Sequence, residues 1–212
     1  MKGTCMKRNT LLATGAVGVV VLALGGTFLW TEFAGSTGTY AQCTSGAVGG
    51  DIGGPFELVS ETGETVTDED VLTEPSLVYF GYTFCPDVCP VDTDRTATAV
   101  TMLEDRGYDV QPVFVSVDPH RDTPEVLTDY TDAFHPDMLG LTGSKEQIDA
   151  AAQAYKVYYN VHDDEDPDYY LVDHTAMTYL MMPGEGFIDF FRREATPEEM
   201  ADRVQCVLDA AN

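Results

Sequence analysis

The chain has 212 residues, 44% of them hydrophobic, which supports one domain with a proper core plus a short appendage and excludes wholesale disorder. Charge is the outlier, with 36 acidic residues against 11 basic ones and a formal net charge of −25. A surface that negative repels phosphate backbones and excludes nucleic acid as a partner; it leaves cations, a basic protein face, or plain solubility in a salty medium.

Residues 1–10 carry Lys2, Lys7 and Arg8 and no acid, and residues 11–30 (LLATGAVGVVVLALGGTFLW) carry no charge at all. That run is long enough to cross a hydrocarbon core, and the bases before it favour a cytoplasmic N-terminus. The rival is a cleaved signal peptide, since Ala34, Gly35 and Ser36 follow. The run is long for a signal core, and Trp30 at its end suits an interface, so a retained transmembrane anchor is expected. Both readings put the remainder on the extracytoplasmic, periplasmic side, where disulfides persist. Residues 31–52, rich in Gly, Ser, Thr and Ala, read as a tether, and residues 53–212 as one domain.

Within the domain, Phe56 to Val59 and Thr65-Val66 flank Glu61-Thr62-Gly63-Glu64 and predict a hairpin. Ser76 to Tyr82 (SLVYFGY) is an unbroken apolar run, as expected of a strand buried on both faces. Pro90 to Arg106 predicts a helix closed by Gly107, and Val110 to Val117 a second buried strand. Thr123-Pro124 and the capping box Ser144 to Gln147 open two more helices. Tyr158 to Val161, Thr178 to Met181 and Phe187 to Phe191 read as strands, the last two joined at Pro183-Gly184. A final capping box at Thr196 to Glu199 leads a helix to the C-terminus. This order is that of an α/β, thioredoxin-like fold with an N-terminal hairpin extension.

Cys85 and Cys89 lie in the segment FGYTFCPDVCP, between a buried strand and its helix, where open α/β sheets place their sites. Amides at a helix entrance lower thiol pKa, so both sulfurs are expected to lean toward thiolate. Redox thioredoxins use C-x-x-C; the additional residue here widens the bite and suits two thiolates converging on a soft ion, although a disulfide remains feasible. Among the four histidines, His120, His135 and His162 read as solvated loop residues. His174 stands between strand-like runs, in Val172-Asp-His-Thr175.

FGYTFCPDVCP followed by YLVDHTAMTYLMMP, together with GGPFELV and VFVSVDPHRDTP, strongly resembles the SCO/SenC family of copper-binding assembly factors. The resemblance implies that Cys85, Cys89 and His174 are copper ligands. It also implies a metallochaperone, not an enzyme, whose recipient is the CuA site of cytochrome c oxidase subunit II or a similar cuproprotein. Phe84 departs from the pattern, since many members have a histidine before the first cysteine; the ligand set is left intact. Two thiolates and an imidazole suit Cu(I) and Cu(II), whereas a closed zinc site would want a fourth ligand. Asp173 and Asp87 are weaker candidates for supporting the ligands, and Met177, Met181 and Met182 for soft-metal contact, with core packing the better reading of Met181. Cys43 and Cys206 are left over and invite pairing in an oxidising compartment, against the alternative of two free thiols; Cys5 precedes the anchor and cannot join them. The competing function is a thiol–disulfide oxidoreductase that keeps the recipient's cysteines reduced; His174 discriminates, because a pure dithiol enzyme has no need of it. A peroxiredoxin is excluded, since neither cysteine has the required Thr and Pro upstream.

Overall fold

A computed structural model describes residues 39–45, 51–162 and 169–211. The expected anchor at 11–30 lies outside these residues, and among the described residues no helix is long and apolar enough to cross a membrane.

A hairpin, β1 (Glu57–Ser60) and β2 (Thr65–Thr67), leads through a short helix α1 (Asp68–Val71) into β3 (Ser76–Gly81). Helix α2 (Val88–Asp105), β4 (Gln111–Ser116), α3 (Pro124–Asp132), β5 (Leu139–Thr142) and α4 (Lys145–Ala154) follow. The chain closes with β6 (Tyr159–Val161), β7 (Val172–His174), β8 (Met177–Met182), β9 (Gly186–Arg192) and α5 (Pro197–Ala211). Seven strands form one sheet in the order β2-β1-β5-β4-β3-β8-β9, while β6 and β7 make a separate antiparallel arm. Strands β3, β4 and β5 are parallel neighbours, as helical crossovers require, and β1, β8 and β9 add antiparallel flanks. This is the thioredoxin-like arrangement expected from the order of elements.

Every residue of β3 is buried, because helices cover both faces of the sheet. Alternation sorts the side chains. Leu77 and Leu180 join Val100 and Leu103 of α2 and Val204 of α5 on one side. Val78, Phe80 and Tyr179 join Leu127 of α3 and Ile148 of α4 on the other. Each such buried side chain stabilises the fold by roughly 1.5–3 kcal/mol.

The capping signals act as expected. The Thr123 and Ser144 side chains accept from the backbone N–H groups of Val126 and Gln147, and the Thr196 side chain from that of Glu199. Gly107 takes φ +86°, where the Tyr108 N–H can reach back to the Leu103 carbonyl.

Three differences from the sequence reading have local causes. Helix α2 starts at Val88 rather than Pro90, because a proline in the first turn forfeits only an N–H that has no helical partner. Strand β5 was not expected, since Leu139-Gly-Leu-Thr is short and interrupted by glycine. It forms between β4 and β1, pairing with both, and Gly140 also bonds Glu61 in both directions, its N–H to the carboxylate at 2.8 Å and its carbonyl to the Glu61 N–H at 2.9 Å. A Cβ at Gly140 would sit 2.7 Å from that carboxylate. The third concerns the expected tether. Thr39–Ser45 belongs to the domain, with Tyr40 and Cys43 buried against α5 and Cys43 bonded to Cys206.

Candidate metal centre

Strand β3 ends at Gly81, and the chain turns through Tyr82 to Cys85, whose N–H bonds the Tyr82 carbonyl. Gly81 is required there: a Cβ would come 3.3 Å from Cys89 Sγ and 2.8 Å from the Tyr79 ring. Cys89 enters the first turn of α2 and donates its backbone N–H to Cys85 Sγ at 3.3 Å. From the other end of the chain, β7 brings His174, whose Nε2 lies 3.2 Å from Cys89 Sγ. The donor atoms of Cys85, Cys89 and His174 all lie within 4.8 Å of one another.

The histidine is oriented for ligation. Its Nδ1 faces the Thr175 carbonyl at 3.2 Å, which holds the proton on Nδ1 and leaves the Nε2 lone pair directed at Cys89. Tyr79 and Tyr82 meet the imidazole edge-on at 6.1 and 5.9 Å and wall the site. Burial lowers the imidazole's proton affinity, against raising contributions from Thr175 and Asp92, and so favours the neutral form that binds metal.

The two thiols differ, which corrects the expectation that both lean toward thiolate. Burial alone would raise Cys85, but hydrogen bonds from the Asp87 backbone, the Cys89 side chain and the Cys89 and Val88 backbones outweigh it and hold the thiol below its ordinary value. Cys89 is fully buried, and burial followed by its pairing with Cys85 pushes its thiol well above the ordinary range. A helix N-terminus stabilises one thiolate here, and a second in the same buried space is penalised.

The supporting residues sort differently from expectation. Strand alternation turns Asp173 away from the site, so its carboxylate bonds His162 at 2.8 Å instead of His174. Asp87 acts through its backbone N–H on Cys85, and its side chain makes no cap. Met181 is buried in the core, Met182 packs in the opposite core, and Met177 packs at the edge of the first. Phe84 is exposed, with the Arg121 guanidinium 4.6 Å above its ring and Tyr169 at its edge. His120 and His162 are exposed, as expected of loop residues.

His135 corrects the loop reading. It is 5% exposed, and its Nε2 lies 3.4 Å from Glu104 at the end of α2. With Asp137 these groups could surround a cation. The Asp137 N–H, however, donates to His135 Nδ1, which places the imidazole proton on Nε2, the nitrogen that faces Glu104, so neither ring nitrogen offers a free lone pair. Of the two groups among the described residues that could hold a metal, Cys85, Cys89 and His174 are the better-built candidate.

A thioredoxin-like domain with a dithiol and an imidazole beyond the carboxyl ends of its central strands belongs to the class that binds soft metals or exchanges thiols. The SCO1/SenC family model matches residues 45–209, and the chain belongs to that family. The chain is 55% identical over 206 residues to Protein SenC of Rhodobacter capsulatus, spanning 96% of this chain and 91% of SenC. It is 41% identical to the human mitochondrial SCO1 homolog over 152 residues, which are 71% of this chain and 50% of that protein. Its fold superimposes with TM-score 0.70 on a crystal structure of Arabidopsis thaliana ScoI with copper bound, at 41% identity, covering 74% of this chain and 99% of that one.

Proposed function

We propose that this protein binds one copper ion through Cys85, Cys89 and His174 and passes it to a recipient cuproprotein during cytochrome c oxidase assembly, the CuA site of subunit II being the expected target. The observation that carries the reading is the convergence of two sulfurs and the free Nε2 lone pair from segments 85 residues apart. The donor set fits the cargo: thiolates favour Cu(I), and the imidazole accommodates Cu(II). The likeness to a copper-bound ScoI supports the same choice. The run at 11–30 supports a membrane anchor with the domain on the periplasmic side. The acidic surface favours a recipient that presents a basic face.

A second reading has its own support. A Cys85 thiol held below its ordinary value beside a fully buried, elevated Cys89 thiol is the asymmetry of a dithiol that attacks and then resolves a disulfide. The two chemistries exclude each other at any instant, because a disulfide offers no thiolates. His174→Ala separates them. Dithiol exchange survives this change, whereas Cu(II) binding and oxidase assembly fail as completely as in a Cys85→Ser, Cys89→Ser double variant. Full oxidase activity from His174→Ala in a strain lacking the native protein would give thiol exchange first place.

A further inference from the structure

We infer that the turn between β4 and α3, from Asp118 to Asp122, is the positioning element that holds the cysteine loop and the histidine strand at copper-binding distance; this rests on the copper reading above. None of these residues reaches the candidate ligand atoms, yet the turn is bonded to both halves of the set. Asp122 is completely buried. Its carboxylate accepts from the Thr83 N–H at 3.1 Å, the Thr83 hydroxyl at 2.6 Å and the Ser116 hydroxyl at 2.6 Å. It therefore pins the chain two residues before Cys85 to the end of β4.

The same turn holds the other half through Tyr170, four residues before His174. The Tyr170 hydroxyl donates to Asp118 at 2.6 Å, and Arg121 donates to the Tyr170 carbonyl at 2.9 Å. The Arg121 guanidinium is ion-paired with Asp118 and lies 3.6 Å from the centre of the Tyr170 ring and 4.6 Å from that of Phe84. It is thus packed between the segment that leads to His174 and the residue beside Cys85. The arm of β6 and β7 shares no ladder with the main sheet; His174 is followed within three residues by β8, which pairs with β3, and the ties through Tyr170 add a second hold on the segment that leads into His174. A planar guanidinium suits that place, since it stacks and donates in fixed directions.

The test uses the reduced protein with Cu(I) and Cu(II) as probes. Asp122→Ala leaves the Thr83 N–H without its acceptor. It should weaken Cu(I) binding by about 10- to 100-fold in chelator competition, as is usual for groups that orient metal ligands. It should also shift the Cu(II)–thiolate absorption and the electron paramagnetic resonance signal. Leu103→Ala, in the core against α5, serves as a control of similar or larger loss in melting temperature and should leave affinity and spectra at wild-type values. Should Asp122→Ala fail to fold, the double variant Asp118→Asn, Arg121→Met decides, because it replaces the ion pair with uncharged groups and leaves no unpaired charge. Wild-type protein that takes up no copper would sink the copper reading itself. Copper-binding wild type alongside a folded variant of the turn with unchanged affinity and spectra would overturn the positioning role alone, as would an equal shift in Leu103→Ala.

Discussion

His174 Nε2 and Cys89 Sγ lie 3.2 Å apart, and the proton that would block the imidazole is held on the opposite nitrogen by the Thr175 carbonyl. A buried sulfur whose proton is held tightly thus faces a nitrogen lone pair. Metal binding must release the Cys89 proton, so copper affinity should rise with pH.

Stoichiometry is the first expectation. Anaerobic titration of the reduced domain with Cu(I) against a competing chelator should end at one tight equivalent. Cys89→Ser should abolish that uptake, and His135→Ala should leave it unchanged, because the His135 Nδ1 lone pair is taken by the Asp137 N–H and its Nε2 carries the proton. Two equivalents of equal affinity would refute the single-site reading.

The thiols should label in a fixed order. Cys85 is held below its ordinary value and carries more thiolate at a given pH, while Cys89 is raised and carries less. Iodoacetamide applied to reduced, copper-free protein should modify Cys85 first at pH 7, and Cys89 should lag even at pH 9. Peptide mass mapping over a pH series reads this directly. Equal rates at neutral pH would contradict the asymmetry.

The Cys43–Cys206 disulfide joins residues 163 apart in sequence and ties the segment around Tyr40 to α5. Cys43→Ser should lower stability by about 2–5 kcal/mol in denaturant titration, while copper stoichiometry is retained. Alkylation of both thiols in unreduced native protein would remove the basis for this.

Tyr155 offers a test in the opposite direction. Its ring is fully buried among Phe56, Phe80 and Tyr179, and its hydroxyl has no partner among the described residues. An unsatisfied buried hydroxyl costs about 1–3 kcal/mol, so Tyr155→Phe should raise the melting temperature or leave it unchanged. A clear loss of stability would mean that the hydroxyl is paired.

The sequence by itself carried the β3 and β4 runs, the helix caps at Thr123, Ser144 and Thr196, and the strand-to-helix setting of Cys85 and Cys89, because each is a signal between near neighbours in the chain. His174 was singled out by the motif around it, since neither its spacing nor its composition distinguishes a ligand from a loop histidine. Tertiary structure alone decided what depends on contacts far apart in sequence. The glycine-interrupted β5 exists through its pairing with β4 and β1, Asp173 turns to His162, and His135 is buried near Glu104. The same holds for the thiols. A helix entrance predicts two easily ionised sulfurs, but packing buried Cys89 so fully that desolvation outweighs its lowering bonds from Tyr82 and Tyr79, and desolvation is a property of what the rest of the chain piles on top.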